Sequence, residues 1–350
     1  SLACGVVASM ILLVLKPAAL HGLGAEGVPH EVASRFLIYL LVSNPIMAAQ
    51  MTLNGLLRAV GDARRAMTVT LTGSVATAVL DPLFIFGFGM GADGAALATV
   101  CARIIFSISG WRGVQHHQLL ARPSRADFTQ FLRPLADIAA PTVMTNLASP
   151  AGAAFLLAIV RQFGHEAIAA QTIIDRLVPL AYGVIFALSG SVGPILAQNL
   201  GARKFDRVRS TLKDSAVFAL VYCLAVWLLL ALFKNTIPQV FGASDRTGAY
   251  VSFFCAIGAV AWVFNSLLFV ANATFNNLGF ALYSTLFNWG RATLGTVPFA
   301  YFGAQWGGYE GALLAIVAGW ALFGISGIIV AFRAISRLEA KARAGAPPTI

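Results

Sequence analysis

Long apolar stretches separated by short polar breaks run along the whole chain. Each stretch is close to the roughly 20 residues that a helix needs to cross a hydrocarbon core about 30 Å thick. Membrane β-strands are about ten residues long and alternate strictly between apolar and polar positions, unlike these stretches. The pattern therefore predicts an all-α, polytopic transmembrane helical bundle of about ten helices, near residues 1–20, 36–57, 66–87, 94–113, 134–160, 167–197, 214–233, 248–272, 280–302 and 310–333.

Composition and charge exclude a soluble fold and predict a topology. Hydrophobic residues make up 58% of the chain and charged residues 11%, whereas soluble domains are about 25% charged. Most of the basic residues behind the net charge of +10, such as Arg64, Arg203 and Arg337, fall in loops on one predicted side, and the other side has few, among them Arg35 and Arg161. The positive-inside rule then predicts that both ends of this chain lie in the cytoplasm. We expect a bacterial inner (plasma) membrane protein. We expect the lipid bilayer as its surroundings and no nucleic-acid partner, because no basic-aromatic groove pattern is present.

Glycine landmarks recur at one offset of about 218 residues, which indicates two parallel halves. The recurrences are 23–25 with 241–243, Gly61 with Gly279, and Gly94 with Gly311. We predict two pseudo-symmetric lobes, an N-terminal lobe at 1–114 and a C-terminal lobe at 134–333, with a cytoplasmic linker at 115–133 and a cytoplasmic tail at 334–350. The offset also predicts two further helices before Ser1, and so a twelve-helix plan. Parallel six-helix repeats are a transporter arrangement with the substrate site near the bilayer midplane.

Several motifs resemble one transporter family. They are Leu-Asp-Pro-Leu-Phe-Ile-Phe-Gly at 80–87, Gly-Ala-Ala-Leu-Ala-Thr at 94–99, Leu-Arg-Ala-Val-Gly-Asp-Ala at 57–63, Gln-Asn-Leu-Gly-Ala-Arg at 198–203, and Pro141. Their order and spacing resemble the third to twelfth helices of the multidrug and toxic compound extrusion (MATE) family. The resemblance implies a secondary transporter that exports organic cations and drugs by antiport with H⁺ or Na⁺, with no other cofactor and no enzymatic activity.

Asp81 is the first candidate functional residue, because a charge at the centre of a spanning helix costs about 2.5–3.5 kcal/mol on insertion scales. Thr70, Ser74, Thr77 and Asp81 are spaced so that they share one helix face. Pro82 lacks a backbone donor and should loosen the helix beside the carboxylate. This stripe is expected to face a partner or a wet cavity.

The family resemblance implies a role for this stripe. Asp81 and Thr99 match an aspartate and a threonine of the family's proton or cation site, and Thr77 stands where the family has an asparagine. A possible Na⁺ at Asp81 is the only metal that we expect. The alternative is that Asp81 pairs with Arg103 and only fixes helix packing.

The second half of the chain has its own intramembrane polar residues. Gln171, Asp175 and Tyr182 share a face, and Ser284, Asn288 and Arg291 form a similar stripe. Their alternative role is packing through ion pairs. Residues that could line a cavity are Ser74, Arg103, Gln171, Asp175, Arg176, Asn288 and Arg291.

Two further interpretations stay open. A related flippase for lipid-linked saccharides would use cationic groups in its cavity, and Arg103, Arg176 and Arg291 are available for that. An inactive fragment of the exporter is the other. An intramembrane enzyme is not expected, because no HExxH or GxSxG motif is present. The sequence does not predict an oligomeric state.

Overall fold

The computed structural model describes residues 2–22, 28–119 and 125–344, and these residues form helices and no strands. Residues 23–25 of the repeat, residues 120–124 of the predicted linker, the end of the predicted tail and the side chain of Pro141 lie outside this description. The helices are α1 (Leu2–Gly22), α2 (Val28–Ala59), α3 (Ala63–Pro82), α4 (Gly91–His116), α5 (Arg125–Val160), α6 (His165–Gly201), α7 (Phe205–Leu232), α8 (Thr236–Val240), α9 (Asp245–Phe253), α10 (Val260–Asn277), α11 (Ala281–Ala292) and α12 (Val297–Arg343). The chain divides into two compact units, Ser1–Ser124 and Arg125–Ile350.

In the first unit, α2 packs between α1 and α4, and α3 packs against α4. A small apolar core, which includes Leu57, Val69 and Phe106, joins α2, α3 and α4. Gly73 of α3 lies against the Phe106 ring, where a larger residue would leave no room. Beyond Pro82 the chain makes a π-helical turn, Leu83–Gly87, before α4 begins.

In the second unit, α10 is the central helix and packs against α6, α7, α11 and α12. Its side chains are buried along nearly the whole length, from Ala261 to Phe275. The segment before it, α9 with the π-helical turn Phe254–Gly258, is bent by 53° from α10. One predicted helix, 248–272, is therefore a broken one.

Seven helical stretches in the described residues are long and apolar enough to cross a membrane, or eight if the bent α9–α10 pair is one span. One of the seven, Ala281–Arg343, has 63 residues. At 1.5 Å per residue a straight helix of that length would reach about 95 Å, roughly three times the hydrocarbon thickness. It is instead interrupted at Gly307 and Gly308, where the backbone leaves helical values and Gly308 has a φ of 61°. The sequence predicts two helices here, 280–302 and 310–333.

Glycines let the two arms on either side of Gly307 approach closely. A Cβ on Gly303 would meet the backbone of Gly311, and a Cβ on Gly319 would meet the carbonyl oxygen of Gly295. Gly307 is the midpoint of both pairs in the sequence, so the two arms run antiparallel. A glycine lies at each close approach. Membrane helices commonly use small residues in this way, because the backbones can then approach each other closely.

Asp62 anchors the start of α3 outside the apolar spans. Its Oδ1 accepts a hydrogen bond from the backbone N–H of Arg65 at 3.0 Å, and its Oδ2 lies 2.8 Å from Nε2 of His117. The N–H of Arg65 is the main cause, and His117 the second, of a pKa for Asp62 below its usual value. This carboxylate joins the α2–α3 turn to the end of α4.

We expect Gly319→Ala to lower the free energy of unfolding by about 1–3 kcal/mol, because the added methyl group overlaps the Gly295 carbonyl and forces the arms apart. Gly183→Ala in α6 is the matched control, since a Cβ there meets nothing within 4 Å and alanine favours a helix. Thermal unfolding in detergent measures both. Equal melting temperatures for the two variants would contradict the close approach of the arms.

Asp62→Asn should lower stability at neutral pH and lose that effect in acid. The pKa of Asp62 is lower in the folded chain. The stability that its charge contributes is therefore complete above the pKa of an unfolded aspartate, about 3.9. It is lost as the pH falls through the folded value. Thermal unfolding of both proteins between pH 7 and pH 3 should show the gap closing below about pH 4. A gap that does not change with pH would rule out the charge as its cause.

Candidate functional site

Asp81 lies in the last turn of α3, where the regular helix gives way to the π-helical turn. Its side chain is half-buried, and its Oδ1 is fully buried with no hydrogen-bond partner. A buried charged oxygen without a partner is costly. This oxygen of Asp81 therefore keeps its capacity to accept from a ligand.

The other predicted residues of this site have partners on their own helices. The hydroxyl of Thr77 donates to the Gly73 carbonyl at 3.1 Å, and that of Thr99 donates to the Ala95 carbonyl at 2.9 Å. Each hydroxyl oxygen keeps acceptor capacity. Ser74 is exposed on α3.

Asn54 of α2 faces α3, and sequence reasoning missed both it and Gln50, which lies one turn earlier. Asn54 donates from Nδ2 to the hydroxyl of Thr70 at 3.1 Å. The Oδ1 of Asn54 and the Oε1 of Gln50 are buried without a hydrogen-bond partner, as is the Oδ1 of Asp81. The spacing of Gln50 and Asn54, four residues apart within an apolar run, was the signal available in the sequence.

Arg103 does not pair with Asp81 in the described structure. Its Nη1 donates to the hydroxyl of Ser43 at 2.6 Å and to the Leu40 carbonyl at 3.4 Å. None of the ion pairs among the described residues includes Asp81. Arg103 thus fastens α4 to α2.

A cavity of about 330 Å³ lies inside the second unit. It brings together five residues that the sequence singles out, which are Gln171, Asp175 and Tyr182 of α6 with Asn288 and Arg291 of α11. Arg176 does not line the cavity and is exposed, because neighbouring helical residues point about 100° apart. No group of three or more acidic, histidine or cysteine residues in the described part of the chain could hold a metal ion.

Hydrogen bonds fix the polar side chains along one wall of this cavity. Gln171 donates from Nε2 to Asp175 Oδ1 at 2.9 Å and accepts from the hydroxyl of Tyr309 at 3.2 Å. The hydroxyl of Tyr182 donates to the Trp262 carbonyl and accepts from Nδ2 of Asn265, both at 3.0 Å. These contacts join α6, α10 and α12 around the cavity.

Arg291 is the buried cation of the cavity, with 8% of the residue exposed. Its guanidinium carbon lies 4.8 Å from the centre of the Trp320 ring. The Trp320 indole donates to the hydroxyl of Thr296 at 3.0 Å, and that hydroxyl donates to the Arg291 carbonyl at 2.8 Å. Sequence reasoning missed Thr296 and Trp320. Thr296 lies in the turn after α11 ends, and Trp320 lies beyond the Gly307 break, so helical spacing relates neither residue to Arg291.

Aromatic rings form the apolar wall of the same cavity. Tyr182 contacts Trp262 and Phe269 with ring centres 5.8 Å and 5.6 Å away. Phe186 contacts Phe269 at 5.3 Å, and Phe254 contacts Trp262 at 5.2 Å. The cavity therefore combines aromatic faces with a small number of fixed polar groups, which is typical of a ligand site.

Comparison with known proteins gives consistent matches. The family model described as MatE matches residues 1–83 and 141–302. The chain is 29% identical to the FAD transporter of Shewanella oneidensis over 329 residues, which covers 91% of this chain and 72% of that protein. It is 26% identical to the multidrug export protein MepA of Staphylococcus aureus over 238 residues, 65% of this chain and 52% of that protein. The match therefore spans about half the length of MepA.

Solved transporter structures share the fold. The bent form of the Vibrio cholerae MATE transporter VcmN superposes with a TM-score of 0.87 at 22% identity, over 97% of this chain and 77% of that chain. A MOP superfamily transporter from Pyrococcus furiosus superposes with a TM-score of 0.89 at 24% identity, again over 97% and 77%. At these identities the likeness shows the fold.

Tyr182→Phe should lower the free energy of unfolding by roughly 1–3 kcal/mol, because it leaves buried Asn265 without its acceptor and the Trp262 carbonyl without its donor. Tyr301→Phe is the control, since Tyr301 is 51% exposed. Thermal unfolding in detergent compares the two variants with the parent chain. A Tyr182→Phe protein as stable as the Tyr301→Phe protein would show that these hydrogen bonds do not hold the cavity wall.

Proposed function

The chain belongs to the multidrug and toxic compound extrusion (MATE) family of membrane transporters, and on this premise we propose that it exports small organic molecules by antiport with H⁺ or Na⁺. It is an integral membrane protein and not an enzyme. The two lobes predicted at 1–114 and 134–333, with the linker 115–133 and the tail 334–350, are part of the proposal.

The observation that carries the proposal is the buried, unpartnered oxygen of Asp81. A charged carboxylate in hydrocarbon is costly unless it has a cationic partner. In the proposal, H⁺ or Na⁺ supplies that partner. The hydroxyl oxygens of Thr77 and Thr99 are the further ligands that we assign to a bound Na⁺.

The local backbone supports a moving part at this position. Pro82 has no backbone N–H to donate, and the next five residues, Leu83–Gly87, adopt a π-helical turn. A ligand shifts a conformational equilibrium only by its difference in affinity between the two states. Binding at Asp81 can therefore bias the arrangement of this segment, and we propose that it drives the transport cycle in that way.

Organic cations and drugs are the first substrate class. The MepA relative is a multidrug export protein, which supports drugs as the cargo. The exposed carboxylate of Asp175, which lines an aromatic-walled cavity, supports organic cations. The relative that covers 91% of this chain is named for FAD, so an aromatic anion is the second candidate class.

The flippase alternative has less support. It needs several cationic groups in one cavity, but Arg103 is bonded to Ser43 and Arg176 lies outside the cavity. Arg291 is the single basic residue among those that line the described cavity. One cationic group is a poor match for a pyrophosphate.

A bacterial inner (plasma) membrane with cytoplasmic ends is the proposed location. The loop between α6 and α7 and the end of α12 form one basic surface, lined by Arg203, Lys204, Arg207 and Arg343. Arg209 and Arg343 both pair with Glu339 at 2.6 Å, which holds the end of α12 beside α7. By the positive-inside rule this surface faces the cytoplasm.

Transport should depend on the carboxylate of Asp81. We expect uptake of the fluorescent organic cation ethidium into inside-out vesicles when a pH or Na⁺ gradient is imposed. Asp81→Asn, which cannot ionise, should reduce uptake to the rate measured without a gradient. Applying the two gradients separately assigns the coupling ion.

Asp214→Asn is the control, because Asp214 is an exposed carboxylate that accepts a hydrogen bond from Ser210 at the surface. It should transport at the parent rate. If Asp81→Asn transports as fast as Asp214→Asn while remaining folded, Asp81 is a packing residue and the proposed coupling site is wrong.

A further inference from the structure

Arg291 is a buried cation that no anion in the described structure neutralises. Its Nε is fully buried without a hydrogen-bond partner, and none of the ion pairs among the described residues includes it. Buried arginines are ordinarily paired with a carboxylate or hydrogen-bonded. This one instead lines the cavity of the second unit.

The surroundings of Arg291 hold its guanidinium in place. The guanidinium carbon lies over the Trp320 ring, and Thr296 joins the Trp320 indole to the Arg291 backbone. A cation over an aromatic face is attracted by the ring but keeps its N–H groups for other acceptors. A fixed guanidinium is also well shaped to bind a carboxylate or phosphate through two parallel hydrogen bonds.

We propose that this cavity binds an aromatic organic molecule through a carboxylate or phosphate group, which Arg291 receives. The proposal rests on the transport function above, because it names a class of ligand for the same protein. The rings of Tyr182, Trp262 and Phe269 recognise the aromatic part of this ligand. The volume of about 330 Å³ lies at the lower end of the range for small-molecule sites.

Asp175 sets a second requirement on the ligand. Its carboxylate lines the same cavity and uses one oxygen to accept from Gln171. Asp175 and Arg291 are not an ion pair in the structure, so each keeps capacity for a ligand. The preferred molecule carries its acidic group at Arg291 and a hydrogen-bond donor or cationic group at Asp175.

Three probes with one ring system and different charge test the proposal. They are 2-naphthoate, 2-naphthalenemethanol and 2-naphthylmethylammonium, titrated calorimetrically into the chain in phosphatidylcholine nanodiscs. Because hydrogen bonds to charged groups are the strong ones, we expect naphthoate to bind at least about tenfold more tightly than the alcohol. Equal binding of all three probes, or tightest binding of the ammonium, would overturn the proposal.

Variants of Arg291 test whether this residue causes the preference for naphthoate. Arg291→Gln should remove the preference, so that naphthoate and the alcohol bind with similar affinity. Arg176→Gln is the matched control, since Arg176 lies outside the cavity, and it should keep the parent preference. Arg291→Lys keeps the positive charge but loses the planar guanidinium that donates two parallel hydrogen bonds. This variant should therefore still prefer naphthoate, but by less than the parent chain does.

Arg291→Lys also covers the case in which Arg291→Gln does not fold. A preference that is unchanged in Arg291→Lys, or in a folded Arg291→Gln, would overturn the proposal. A further arm adds phosphatidylglycerol to the nanodiscs. Loss of binding of both naphthoate and the neutral alcohol there would show that the anionic lipid occupies the site, which also overturns the proposal.

This test is independent of the transport assay. Naphthoate binding that requires Arg291, without gradient-driven transport of any substrate, would leave the site in place and remove the antiport function. Gradient-driven ethidium transport without preferential naphthoate binding would leave the antiport function in place and overturn the proposed site at Arg291.

Discussion

A backbone amide in hydrocarbon has no water to bond, so each spanning segment has to satisfy its own hydrogen bonds. Most of the described chain does so by continuous helix, and the exceptions lie beside polar side chains. The π-helical turn Leu83–Gly87 follows Asp81, and the bend at Phe254–Gly258 precedes the helix that carries Asn265. Irregular backbone in a membrane protein is tolerated where it is buried in protein or lines a cavity. The first break lies beside the unpartnered oxygen of Asp81, and the second contributes Phe254 and Gly258 to the lining of the cavity.

The break between α11 and α12 shows how one such interruption is made stable. The Arg291 carbonyl is bonded by the side chain of Thr296, and the same hydroxyl fixes the Trp320 indole. The glycines at 295 and 319 bring the two arms close enough for this contact. One polar side chain thus satisfies the backbone at the break and positions the ring over the guanidinium. The fold and the cavity depend on the same few contacts.

The sequence predicted the elements well and their interruptions poorly. Apolar length gave all the main helices, because hydrocarbon thickness sets that length. It predicted one helix at 280–302, where the structure breaks between Ala292 and Val297, since Thr293–Thr296 contains no proline and only one glycine. Pairing across helices was also beyond its reach. The contact of Arg103 with Ser43 depends on packing that one sequence does not show.

Two opposite unpaired charges, Asp81 in the first unit and Arg291 in the second, give the chain two different kinds of selectivity. A carboxylate without a partner favours H⁺ or a small cation over any organic anion. A buried guanidinium favours an acid over its neutral analogue, because the analogue would leave the charge unpaired. Since the two groups belong to separate units, a coupling cation and an acidic substrate need not compete for one charged side chain. In an exporter that uses both groups, the sign of each charge would decide which ligand goes to which unit.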